Sequence, residues 1–125
     1  MILVDTAVWI GHFCDGDPHL AELLDRGVIL AHPWVTGELA LAHLRGRAEI
    51  LRLLHDLPQA TVATAAELLG LIEHHELFGF GIGYVDVQLL AATMLTDDAT
   101  LWTHDRRLGA AAQRLGAAYV RQRRG

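Results

Sequence analysis

The stretch MILVDTAVWI, residues 1–10, decides the fold. Ile2, Leu3 and Val4 are apolar without alternation, as in a strand covered on both faces, and Asp5 stops the run before a second apolar stretch that suits a helix. A carboxylate at such a junction either starts a helix or belongs to a site that uses negative charge. Outward from this unit, ILVD (2–5) reads as a buried strand and Thr6 to Phe13 as a helix. Asp17-Pro18 is an N-cap followed by proline at the first helical position, and Gly27 ends the helix it opens. VILA (28–31) is a second strand. WVTGELALAHL (34–44) and RAEILRLLHDL (47–57) are two helices parted near Gly46, the second stopped by Pro58. ATVA (60–63) carries a weaker strand signal, and AAELLGLIEHHELF (65–78) is helical. After GFGIG (79–83), the stretch VDVQLLAATML (85–95) has only Asp86, Gln88 and Thr93 as polar members, the mark of a buried helix. ATLWT (99–103) is a strand, DRRLGAAAQRLG (105–116) a helix and AAYV (117–120) a last short strand. Strands alternating with helices predict an α/β fold, a three-layer α/β/α sandwich around a central parallel sheet.

Composition narrows the class. A chain of 125 residues suits one domain, 1–125, burying roughly two-thirds of its extended surface. Hydrophobic residues make up 52% and charged residues 20%, which places it among globular rather than disordered chains. No apolar run reaches the roughly 18 residues of a membrane span. No basic segment precedes the N-terminal apolar stretch, as a secretory signal requires, so the expected location is cytoplasmic. Cys14 is the single cysteine, which excludes an internal disulfide and any zinc site built on two thiolates, and it reads as a packing residue. All ten basic residues are Arg, so Schiff-base chemistry and the phosphate-loop lysine are excluded. The net charge of −5 argues by itself against a polyanionic partner.

In an open parallel sheet, sites form beyond the carboxyl ends of the strands. Asp5 closes the first strand and Asp105 follows ATLWT by one residue, so both fall on that edge. Asp86 opens the most apolar helix. Glu38 lies one turn from Trp34 and Ala42, with Val35 and Leu41 three residues to either side, a face otherwise apolar. Each acid has a plainer reading: Asp5, Asp86 and Asp105 as helix N-caps, and Glu38 as an acid on a tilted helix face. Those readings do not account for four acids together. Buried unpaired carboxylates cost several kcal/mol or become protonated, and several together repel one another. Such a cluster implies a cation, and hard oxygen donors without thiolates select Mg2+ or Mn2+. Such ions activate water and stabilise charge on the attacking and leaving oxygens of a phosphodiester.

ILVDT, an acid on a helix near position 38, GIGYVDVQLLAA (81–92) and LWTHDRRL (101–108), in that order, resemble the PIN-domain ribonucleases. In size and order the chain is similar to the VapC toxins of bacterial toxin–antitoxin pairs, from Met1 to about Val120. The resemblance implies that Asp5, Glu38, Asp86 and Asp105 are the catalytic, metal-holding acids, with Thr103 and Thr6 supporting them. Glu49 is a rival to Glu38 as the second acid, and Asp97 and Asp98 read as a solvated turn at the opposite end of the strand. The resemblance further implies a Mg2+- or Mn2+-dependent endoribonuclease, usually a homodimer, held inactive by a cognate antitoxin. Two divalent ions would bring the charge from −5 to about −1, which weakens the objection to RNA. Arg45, Arg47, Arg106 and Arg107, with Arg52, are candidates for RNA phosphates, or else line a solvated helix face. Arg121, Arg123 and Arg124 form a basic tail that can touch RNA, contact an antitoxin or remain disordered.

Other features point elsewhere. GFGIG departs from a nucleotide loop, since Tyr84 stands where the third glycine belongs and a helix precedes it; its expected part is to turn the chain into the helix of Asp86. Of eight histidines, the adjacent His74 and His75 are expected to point apart, and His104 beside Asp105 stands out. Trp34 and Trp102 read as packing residues. A haloacid-dehalogenase-type phosphatase would need a second Asp where Ala7 stands, and both it and a response-regulator receiver need a lysine. The remaining alternative is a catalytically silent PIN-like module that binds protein.

Overall fold

The computed structural model describes residues 1–121; Arg123 and Arg124 of the basic tail lie outside that range. The elements run β1 (Ile2–Val4), α1 (Thr6–Asp15), α2 (Pro18–Asp25), β2 (Ile29–Leu30), α3 (Pro33–Leu41), α4 (Arg47–Asp56), α5 (Ala65–His74), α6 (Tyr84–Leu95), β3 (Thr100–Trp102) and α7 (Arg106–Arg114). The sheet is parallel in the order β2-β1-β3, with Leu3 opposite Leu30 and Leu101. Ile2, Leu3 and Val4 are all buried although successive side chains point to opposite faces, so both faces of β1 are covered. The three-layer α/β/α sandwich expected from the alternation is the architecture found.

Two expected strands shrink to single contacts at the sheet edges. ATVA (60–63) forms no strand; one parallel bridge pairs Gln59 with Ala31, and the Thr61 N–H turns to the Thr96 hydroxyl instead of a ladder. AAYV is reduced to a bridge between Ala118 and Leu101, with Leu101 N–H donating to Ala117 and Tyr119 N–H donating to Leu101. The helices expected at 34–44 and 65–78 end at Leu41 and His74. Because α5 stops there, His75 leaves helical geometry and its ring meets that of His74 edge to face at 4.7 Å, rather than pointing away. Cys14 is exposed, not packed.

Residues 85–95 lie in the buried helix that their composition predicts, α6. Val87 through Thr93 are seven consecutive buried residues of α6, so every side of two turns is covered. Leu89, Leu90, Leu101, Leu108, Leu3, Val4 and Trp9 form the core centre, each at most 1% exposed. At the start of α3, buried His32 accepts the Trp34 N–H at Nδ1 (3.0 Å). Burial pushes its imidazole pKa down, which keeps the ring neutral as that cap requires.

Candidate active site

Asp5 leaves β1 at its carboxyl end, pinned by its own N–H donating to Trp102 at 2.9 Å. Its side chain caps α1: Oδ1 accepts from the Thr6 N–H at 2.8 Å, and Oδ2 accepts from the Thr103 hydroxyl at 2.7 Å. Thr103 also accepts the Asp105 N–H at 3.0 Å, and Asp105 caps α7 by accepting the Leu108 N–H. On the other side the Thr6 hydroxyl donates to Glu38 Oε1 at 2.7 Å. A continuous hydrogen-bonded chain thus runs Glu38, Thr6, Asp5, Thr103, Asp105, joining α3, α1, β1, β3 and α7.

Asp86 stands apart from that chain of bonds but not from its charge. It occupies the third position of α6, not the N-cap, and reaches back so that Oδ2 accepts the Gly83 N–H at 3.1 Å. Burial pushes its carboxyl above the ordinary carboxylate range, the Gly83 N–H pulls it down, and the like charges of Asp5, Asp105 and Glu38 push it up again. Among the described residues, every charged group acting on Asp86 is another acid. Asp5, Glu38, Asp86 and Asp105 line one open cleft of about 470 Å³ together with Thr6, His104, Ala7, Ile10 and Val85. The amino-terminal turns of α1, α6 and α7 all begin at this cleft, bringing the positive ends of three helix dipoles to it.

The setting is less apolar than expected. Asp5 and Asp86 are half-buried, whereas Glu38 and Asp105 are exposed. Helix α3 buries Val35 and Leu39, while Trp34 (40% exposed) and Leu41 (91%) share the open side with Glu38. Like-charge repulsion and burial therefore coincide chiefly at Asp86. Among the described residues, no group of three or more His, Cys, Asp or Glu side chains stands close enough to form a ready-made metal cluster. The donor chemistry still suits a hard divalent ion. All four donors are carboxylates, and each Asp5 oxygen accepts one hydrogen bond and keeps a second lone pair.

No protein-family model matches the chain. Two curated relatives, both called ribonuclease VapC32 and both from Mycobacterium tuberculosis (strains CDC 1551 / Oshkosh and ATCC 25618 / H37Rv), are 44% identical to it over 102 residues, 82% of this chain and 82% of each relative. The chain belongs to the VapC family of PIN-domain ribonucleases. Within this VapC fold Glu49 sits exposed in the first turn of α4 and does not line the cleft, whereas Glu38 does. Asp97 and Asp98 precede β3 at its other end, where Asp98 O accepts the Met1 amino group at 3.0 Å. Arg45, Arg47, Arg52, Arg106 and Arg107 are exposed. Arg47 donates from Nε to Ala40 O at 2.9 Å, and Arg107 lies over Gly81, its guanidinium 3.4 Å from Gly81 O. A Cβ at Gly81 would lie 2.9 Å from that flexible guanidinium, and the backbone there has φ +81°, a conformation that favours glycine. Sequence reasoning does not reveal Thr6 as the bridge to Glu38, a link made only by packing α1 on α3. Nor does it reveal Ala7, Ile10 and Val85 as cleft walls, since apolar residues at helix starts carry no mark of a site.

Proposed function

We propose that this protein is a divalent-metal-dependent endoribonuclease that acts in the cytoplasm as the toxin of a toxin–antitoxin pair. The observation that carries the reading is geometric: acids from four separate elements, Asp5, Glu38, Asp86 and Asp105, line one cleft, where like charge adds to burial in raising the pKa of Asp86. Family membership and the ribonuclease relatives support the substrate class. Asp5, Glu38, Asp86 and Asp105 hold Mg2+, with Mn2+ as a substitute. When bound, the ion supplies Lewis-acid charge and lowers the pKa of water. Thr103 and Thr6 fix the rotamers of Asp5 and Glu38, the part that outer-sphere partners play around oxygen ligands. The helix starts at the cleft favour the negative charge of an RNA phosphate. Arg45, Arg47, Arg106 and Arg107 hold neighbouring phosphates. An antitoxin protein and a second copy of the chain complete its partners.

The test is cleavage of RNA by the purified chain, followed by sequencing of the new ends. Cleavage should require Mg2+ or Mn2+ and vanish in EDTA and in the Asp5→Asn form. Activity that survives both treatments overturns the reading, and a protein that binds neither metal nor RNA is instead the catalytically silent module.

A further inference from the structure

The strand that delivers Thr103 and Asp105 to the cleft also delivers two aromatic rings. Trp102 ends β3 and His104 follows two residues later, so an extended chain puts both on one side. Their rings stand edge to face, with centroids 6.3 Å apart and planes at 88°. His104 is exposed and lines the acidic cleft, while Trp102 is half-buried. Trp102 is braced from two further directions: His19, at the start of α2, meets it edge-on at 5.5 Å, and Tyr119 lies tilted against it at 5.5 Å. The brace is itself locked, because His19 Nε2 and the Tyr119 hydroxyl are 2.6 Å apart and the two rings stack. Four rings from three distant segments thus form one aromatic cluster, and of the four it is His104 that borders the acids.

Core packing accounts for Trp102 and Tyr119. It does not account for an exposed aromatic ring held at the wall of a cleft otherwise lined by carboxylates and small or aliphatic residues. Carboxylates repel the sugar–phosphate backbone and offer nothing to the flat face of a base, whereas an aromatic ring stacks on any base regardless of sequence. Bases in a duplex are already stacked and paired, so such a surface selects unpaired ones.

We propose that His104, braced by Trp102, is a stacking platform for an unpaired nucleobase next to the scissile phosphate. This subsite rests on the ribonuclease reading and adds to it a contact with the base itself, beside those with the phosphate.

The test compares two labelled hexamers of equal charge, oligoadenylate RNA and an abasic ribose–phosphate chain, by fluorescence anisotropy with the full chain in Ca2+, which accepts oxygen ligands in looser geometry than Mg2+. The base-bearing hexamer should bind at least about fivefold more tightly, the lower end of what one base–aromatic stack supplies. His104→Ala should abolish that preference, and His104→Phe, which keeps a ring but no charge or ring nitrogen, should restore it. Equal binding of the two hexamers by the wild-type protein, or a preference that persists in His104→Ala, overturns the proposal. So does loss of the preference in His104→Phe, which would assign the effect to the imidazole nitrogens. Cleavage in Mg2+ measured alongside separates the two readings: a protein that cuts RNA without favouring bases loses only the subsite, and one that neither binds nor cuts RNA loses both.

Discussion

Replacing Asp86 by Asn tests the electrostatics of the cleft without touching catalysis as a readout. Asn keeps an oxygen for the Gly83 N–H but removes the charge that burial, Asp5, Asp105 and Glu38 all oppose. Asp86 is only half-buried, and repulsions between partly solvated charges are of the same small size as surface ion pairs, about 0.2–1 kcal/mol each. Against this stands the loss of a negative charge in the first turn of α6, about 0.3–1 kcal/mol. Three such repulsions set against that loss leave a net gain of roughly 1 kcal/mol, or about 4 °C in Tm for a chain of this size. The pH dependence follows from the raised pKa. The folded wild type holds its Asp86 proton more tightly than the unfolded chain does, so the Asp86 contribution to stability falls as pH rises from near 3.8 through the higher folded value. Asn does not titrate. The Tm advantage of Asp86→Asn should therefore be small at the acid end, grow through that window and level off above it. Scanning calorimetry in EDTA between pH 3.5 and 8 measures this difference, and Mg2+ should then raise the wild-type Tm more than that of the variant. A lower Tm for Asp86→Asn at pH 8, or a difference that does not change with pH, refutes the reasoning and leaves Asp86 as a helix-start residue alone.

Thr103→Val removes both the hydroxyl bond to Asp5 and the one received from Asp105 while keeping shape; it should cost about 1–2.5 kcal/mol and most of the cleavage rate, and Thr103→Ser should recover both. A Thr103→Val protein as stable and active as wild type would show that the bonded chain is ornamental. Light scattering at micromolar concentration should find a dimer, since Leu41 at 91%, Phe78 at 63% and Leu69 at 59% exposure leave apolar surface open; a monomer at that concentration removes the second copy from the list of partners.

The parallel sheet and its acid-bearing edge are legible in the sequence because their signals are local. Ile2–Val4 announces a strand covered on both sides, Asp17-Pro18 and Gly27 bracket α2, and the near-absence of polar residues in 85–95 announces α6. Strand-end position alone then places Asp5 and Asp105 on one edge. The features that escape such reading are of a different kind. Whether ATVA or AAYV pairs over several residues or at one depends on what lies beside it: AAYV meets a single bridge at Ala118, and beside ATVA the one bridge falls on Gln59, just before it. The face on which Glu38 lies is open rather than apolar and covered, because Trp34 stays 40% and Leu41 91% exposed, apolar though they are by type. Asp86 falls at the third helical position rather than the cap because Gly83 and Tyr84, not Val85, begin its helix.

The order β2-β1-β3 has a consequence for a chain made from its amino end. The middle strand finds its first neighbour fewer than thirty residues on, but its second only with Thr100–Trp102, and Asp105 comes later still. Two acids are thus synthesised early and wait, while Thr103, which ties Asp5 to Asp105, is translated nearly a hundred residues after Asp5. During translation the molecule is built with its chemistry unassembled, and the cleft closes into its final form only when the last strand docks.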